Sequence, residues 1–430
     1  MFQIDNMLDF INGSPSPYHA VNQSAVIFEK EGFQRLQWQD KWELLSGHKY
    51  FISNGGAIFA FIIPNDTSGC VKYKMVGSHS DSPTLKIKPS GVFNHHDLIV
   101  KINTEVYGGP ILYSWFDRPL SIAGRVSFID GSGDIITTTV DFERPIAILP
   151  SVAIHLNREV NQKGIAISNQ KDILPIVALS SGDKFETDYL EKIISSKLSI
   201  NKDKLLDYEL NFYSVESGRT IGFDNELVSS ARLDNLSMFY ISIESLISQS
   251  AADNTIKILA GYNHEEIGSG TTQGASSTYT IQLIERIYAG MGKSREEFLN
   301  ANVLSTVVSA DLSHANHPNA PDKSDPVLKN EMNKGIAIKY NYTQNYVTDS
   351  PVLARAVAVC KSEDIMYQKH VNNSDLRGGS TIGPHIASLL GCQCIDVGVP
   401  VLSMHSICET GGSEDFKSMY RFMNAFYEKM

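Results

Sequence analysis

The stretch "TIKILAGYNHEEIGSG", residues 255–270, decides the fold. Its apolar opening has the length of a buried strand, and it runs into two adjacent acids, Glu265 and Glu266, ahead of Gly268 and Gly270. Ligands in α/β proteins bind beyond the carboxyl ends of the strands, so acids at that place are candidates for chemistry. Working outward, stretches of this kind alternate with helical ones. "LDNLSMFYISIESLISQS", "YTIQLIERIYAGMG" and "PVLARAVAVCKSED" read as helices, and "GGSTIGPHIASLLG" as a loop followed by one; "STVVSADLS" and "CQCIDVGVPV" read as strands. The alternation predicts an α/β fold, a doubly wound mixed sheet with helices on both faces.

The first 91 residues fit the same pattern, with helices from Met7 to Asn12 and Tyr18 to Glu31 ahead of the strands "AIFAFIIP" and "YKMVGSHSDSP". Residues 92–218 do not. "HHDLIVKINTEVYGG", "ILYSWFDRPLSIAGRVSFID" and "DIITTTVDF" alternate with period two between turn residues, as antiparallel strands do. The expected organisation is therefore one catalytic domain from residues 1–91 and 219–430, interrupted by an inserted β-rich domain of residues 92–218.

The 430 residues are 42% hydrophobic and 20% charged, with a net charge of 37 − 48 = −11, which argues against a binder of nucleic acid phosphates. No run of 18 apolar residues and no signal peptide are evident, so a cytoplasmic protein with no membrane partner is expected. The five cysteines (Cys70, Cys360, Cys392, Cys394, Cys408) lack zinc or disulfide spacing and read as reduced, mostly buried thiols.

The strand ends share a property. His79 and Asp81 follow "YKMVG", Asp234 lies in "SARLDN", Asp311 follows "TVVSA", and His405 follows "VPVLSM". Imidazoles and carboxylates on one sheet edge are the ligands that Zn²⁺, Mn²⁺ or Co²⁺ accept, and the set suits two divalent ions. Asp234 would bridge them, His79 and Asp311 would complete one ion, and Glu266 and His405 the other. Glu265 remains as general base, and Asp81 would fix the tautomer of His79 through its far nitrogen.

Each residue also has a plainer explanation. A single histidine after an apolar run is usually just a satisfied core residue, and Asp234 in "RLDNLSMF" has the look of a helix cap. Only the coincidence of five such ends favours a metal site. Competing motifs fail on spacing: His264-Glu265 lacks the second histidine of H-E-x-x-H, and "AGMGKS" lacks the first glycine of a phosphate loop, reading instead as a helix end followed by a Ser294 cap. "DLRGGSTIGP", residues 375–384, reads either as a phosphate cradle or as a turn that lets backbone approach a substrate.

The motifs "SHSDSPTLKIKP", "AIHLNR", "SARLDN", "GYNHEEIGS", "SADLSHANHPN", "DLRGGSTIGP" and "LSMHSICE" resemble, in order and along the whole chain, those of the M18 metallopeptidases, the aspartyl aminopeptidases and their bacterial relatives. The resemblance implies a zinc-peptidase fold, a two-zinc site, removal of single amino-terminal residues from peptides, and a homo-oligomer, a dodecamer in similar members. It implies that His155 reaches a neighbouring subunit's active site to steady the oxyanion, and that Lys339, Tyr346 and His314 line the substrate pocket. Lys339 there would pair with an acidic first residue, although some members prefer neutral ones; without the resemblance it reads as a solvated lysine ending a strand. A two-metal deacylase or carboxypeptidase, with Arg377 or Arg232 reading a substrate carboxylate, and a non-catalytic metal-binding scaffold are the alternatives.

Overall fold

A computed structural model describes residues 2–95, 98–180 and 188–430. It divides into two compact units, one of residues 1–81, 218–404 and 409–430, the other of residues 82–217 and 405–408.

The first unit is built on a nine-stranded mixed sheet. Four parallel strands form its centre, in the order Thr255–Tyr262, Lys72–His79, Thr306–Ala310 and Gln393–Gly398. Ala57–Ile62 and Ile336–Lys339 flank them in antiparallel pairing. Each central strand is buried on both faces, which is why its sequence is an apolar run rather than an alternation. Leu259 faces one core, while Ile256, Ile258, Ala260 and Tyr262 face the other. The first core is closed by the helices Ile4–Asn12, Pro17–Lys30, Leu233–Ile247, Ser350–Ser362 and Ser413–Lys429, the second by Tyr279–Gly290, Arg295–Leu304 and Ile382–Leu390. Burying each large side chain from these runs stabilises the unit by roughly 1.5–3 kcal/mol before entropy is counted, so register is fixed by many independent contacts. The fold is thus the doubly wound α/β sheet expected. Ser294 does cap the Arg295–Leu304 helix, in a reciprocal box with Glu297.

The second unit is a six-stranded antiparallel sheet in the order Ile135–Asp141, Leu120–Ile129, Leu205–Ser214, Thr84–His95, Ile99–Tyr107, Ile176–Leu179. One face packs Leu85, Ile102, Trp115, Ile122 and Phe212 into its own core with the Tyr189–Leu198 helix. The sequence change expected at residue 92 falls inside the Thr84–His95 strand rather than at a boundary, since this unit begins at Ser82. What occurs there is a break in register with Ile99–Tyr107 between Ile87 and Val92, with Ser90 in the left-handed region. A bulge interrupts the alternation there.

All five cysteines are free, but only Cys360 and Cys394 are buried and Cys70 is exposed, which corrects the expectation of mostly buried thiols. Among the described residues, no helix is long and apolar enough to cross a membrane.

Candidate metal centre

The centre sits at the carboxyl edge of the parallel strands. His79 closes its strand opposite Tyr262, and Ser309 of the next strand pairs with Gly77, so the chain leaves all three strands at one edge. Asp311 follows directly, its amide bonded to the Val397 carbonyl at 3.0 Å. Gly398 lies against it, and a Cβ there would fall 1.9 Å from the Asp311 carbonyl oxygen, so only glycine allows the approach. After Tyr262 the chain reverses through His264, at φ +65°, into a single 3₁₀ turn, Glu265–Ile267.

Asp234 arrives from a different element. It lies at the start of the Leu233–Ile247 helix with extended rather than helical backbone, and no side-chain capping bond forms there. Its amide donates to Glu409 Oε2 at 2.9 Å, and the neighbouring Asn235 Nδ2 donates to the Ala310 carbonyl at 2.9 Å, tying this turn to the strand that delivers Asp311.

These elements surround one imidazole. His79 is 1% exposed, and its Nε2 lies 3.5 Å from Asp234 Oδ1, 3.6 Å from Asp311 Oδ1 and 3.9 Å from Glu265 Oε2. One donor atom each of His79, Asp234 and Asp311 falls within 4.8 Å of the others, as does one each of His79, Glu265 and Glu266. Burial by itself would lower the His79 imidazole, but Asp234, Asp311 and Asp81 outweigh it and hold it above its ordinary range. Burial pushes the Glu265 carboxyl up to about 8, with Asp311, Asp81 and Asp234 adding to the shift and His79 opposing it. Two like charges 4 Å apart repel by about 4 kcal/mol at an effective dielectric of 20, so gathering carboxylates here costs stability unless a cation answers them. The donor set, imidazole nitrogen with carboxylate oxygen, is the one zinc, manganese and cobalt accept, and the residues fit a divalent ion.

Asp81 faces His79 and serves the neighbouring turn as well. The Nδ1 of His79 lies 3.1 Å from the Asp81 backbone carbonyl and 3.4 Å from its carboxylate. The Asp81 carboxylate also accepts the amides of Glu265 at 3.1 Å and Glu266 at 3.2 Å, and so fixes the turn that presents both acids.

Lys339 is 2% exposed rather than a solvated strand end. Its Nζ lies 3.5 Å from Asp311 Oδ2 and 5.2 Å from the centre of the Tyr346 ring, which is itself buried. Burial works against its charge, while Asp311, Tyr346, Asp396 and Asp234 hold the ammonium above its ordinary range. His314, three residues after Asp311, is exposed. His155 and His405 belong to the second unit. His155 is exposed there, between exposed Ile154 and Leu156. His405 has φ +67°, and its Nδ1 lies 3.1 Å from the Gly109 carbonyl, which places the ring proton on Nδ1 and the lone pair on Nε2.

Sequence reasoning missed Glu409, Asn235 and His370. Glu409 stands in the quoted "LSMHSICE", and an acid inside a strand that pairs on both sides was a signal available to it.

Residues 10–427 match the profile of Peptidase_M18, described as aminopeptidase I zinc metalloprotease. A probable M18 family aminopeptidase 2 of Clostridium novyi is 41% identical over 427 residues, covering 98% of both chains. Its namesake in Pseudomonas savastanoi is 37% identical over 98% of this chain and 97% of its own. Among solved structures, Ape4 in its complex with Nbr1 superposes with a TM-score of 0.94 at 33% identity, over 98% of this chain and 85% of that one. The chain belongs to the M18 family of zinc metalloproteases and is a metallo-aminopeptidase.

Proposed function

We propose that the protein removes single amino-terminal residues, preferring aspartate and glutamate, with two zinc ions at the described centre. His79, Asp234, Glu266, Asp311 and His405 would hold them. The observation that carries this reading is the convergence of Asp234, Asp311 and Glu265 on the buried Nε2 of His79. A zinc pair, when bound, supplies Lewis acidity that polarises the scissile carbonyl and acidifies water in the site.

The remaining chemistry belongs to the chain. Glu265 stays outside the ligand set, takes the proton of the attacking water and returns it to the leaving amine. Asp81 holds Glu265 and Glu266 by their amides, so that the base and its neighbouring ligand keep one geometry. Lys339, Tyr346 and His314 line the substrate pocket. His155, on an exposed segment, is read as steadying the oxyanion in a neighbouring copy.

That last role requires a homo-oligomer. S. cerevisiae mApe1 was solved as a dodecamer and shares the fold at a TM-score of 0.86 and 24% identity, and a dodecamer is the assembly proposed for this chain, with the β-rich unit mediating it. A preference for neutral residues is the second reading, favoured by the engagement of Lys339 with Asp311, which leaves its charge already answered. Glu265→Gln tests the mechanism: zinc content stays at the wild-type level while kcat on an aminoacyl anilide falls by about 10²–10⁴. Wild-type turnover in that variant refutes the assignment of the base.

A further inference from the structure

Beside Lys339, in the same unit, lies a cavity of about 140 Å³ whose wall includes His314, Lys323, Asn330, His370, Asn372 and Arg377. None of the residues of the centre itself lines it; His370 in its wall links it to the Lys339 and Tyr346 pair. His370 pairs in strand register with Lys339 and its ring lies 6.0 Å from that of Tyr346. Asn330 Nδ2 meets the His314 carbonyl at 3.3 Å and Ser313 Oγ at 3.1 Å.

The hydrogen-bond directions in this wall can be worked out. Because Asn330 Nδ2 faces a carbonyl, its assignment as the donor is settled, and it donates to His370 Nδ1 at 2.6 Å. His370 therefore carries its proton on Nε2, which donates to Asn372 Oδ1 at 3.2 Å. Burial, followed by the charges of Lys339 and His314, drives the His370 pKa down to about 3, so the ring stays neutral. Two polar atoms of this wall are buried with no partner among the described residues: Asn330 Oδ1 and Asn372 Nδ2. Asn330 is 3% exposed. Buried polar atoms left unmatched cost stability and call for an explanation. Gly378 is shaped around one of them, since a Cβ there would fall 2.1 Å from Asn372 Nδ2.

The charges around the cavity have one sign. Its lining holds Lys323 and Arg377 and no acid. Lys323 is exposed and lies 3.4 Å from Asp322, whereas Arg377 forms no ion pair among the described residues. Lys339, by contrast, is buried against Asp311.

We infer that Arg377, with Asn372 held by the Asn330–His370 chain, receives the side-chain carboxylate of the substrate's first residue, and that this pair rather than Lys339 alone sets the preference for acidic residues. Arg377 supplies the charge and Asn372 Nδ2 a second donor to the same carboxylate. The sequence "DLRGGSTIGP" then has a use: its arginine reads the substrate and its glycine admits the amide. The inference rests on the proposed acidic preference.

The test uses the zinc-loaded full chain and compares kcat/KM on glutamyl anilide, leucyl anilide and the dipeptide Leu-Gly, which carries a carboxylate only at its C-terminus. Arg377→Met is expected to lower the glutamyl-to-leucyl ratio by about ten- to a hundredfold, mostly through KM, with Arg377→Lys keeping part of it and Asn372→Ala giving a smaller drop. A ratio unchanged in both Arg377→Met and Asn372→Ala overturns the inference, as does a loss confined to Leu-Gly, which would assign the cavity to the C-terminal carboxylate. A wild-type chain that favours leucyl anilide removes the acidic preference itself; one that favours glutamyl anilide with a ratio indifferent to Arg377 removes only this inference.

Discussion

Among the described residues, the six-stranded unit buries threonine, serine and asparagine (Thr84, Thr104, Ser121, Ser195, Asn211, Ser214) but no ionisable acid or base, whereas the nine-stranded unit buries Lys74, His79, Asp81, Asp234, Lys257, Asp311, Lys339, His370, Asp396, Glu409 and Asp415. Neutral groups of the first kind can meet backbone partners cheaply, as Thr84 Oγ1 does with the Phe212 carbonyl at 2.6 Å and Thr104 Oγ1 with that of Ile173 at 2.5 Å. A buried charge is far more expensive, and it persists only where a partner or an ion compensates it. The interior of one unit is thus packed with neutral groups, while the interior of the other gives up stability to hold a reactive centre.

Three substitutions probe this contrast, from the largest effect to the smallest. His79→Ala removes the imidazole around which three carboxylates gather and leaves their repulsion unrelieved; the purified variant is expected to lose zinc, by elemental analysis, and all measurable hydrolysis. Retention of full zinc would show that the cluster binds metal without its histidine. Asp81→Asn keeps the shape but weakens the grip on the Glu265 and Glu266 amides, and zinc affinity by competition with a chelator should drop by about 10–100-fold. An unchanged affinity would reduce Asp81 to a structural residue. Phe212→Ala opens the core of the β unit and should cost about 3–5 kcal/mol in denaturant unfolding, yet change turnover per folded chain least of the three. Zinc loss from that variant under native conditions would break the division between the units.

Much of this was legible in the sequence. Apolar runs of strand length, followed at once by His79, Asp311 or Glu265, announce a sheet edge because a strand buried on both faces must be apolar until it leaves the sheet. Other features depend on partners that no local pattern encodes. Lys339 looked solvated because a lysine ending a strand usually is; its burial follows from Asp311, delivered by a strand two places away in the sheet. Asp81 was expected to serve one histidine, and its further service to the Glu265 turn is a contact across 184 residues of chain. The start of the β unit was placed at residue 92, where alternating stretches separated by turn residues begin, whereas the compact unit starts at Ser82. His370 carried no signal at all, being an ordinary strand residue until Asn330 and Asn372 fold onto its two nitrogens.

The most direct test is X-ray diffraction from crystals of the zinc-loaded protein on either side of the zinc absorption edge. Two anomalous peaks are expected, both in contact with Asp234, one also with His79 and Asp311 and the other with Glu266 and His405, with Glu265 bound to neither. A single peak, or peaks away from His79, would contradict the two-ion centre.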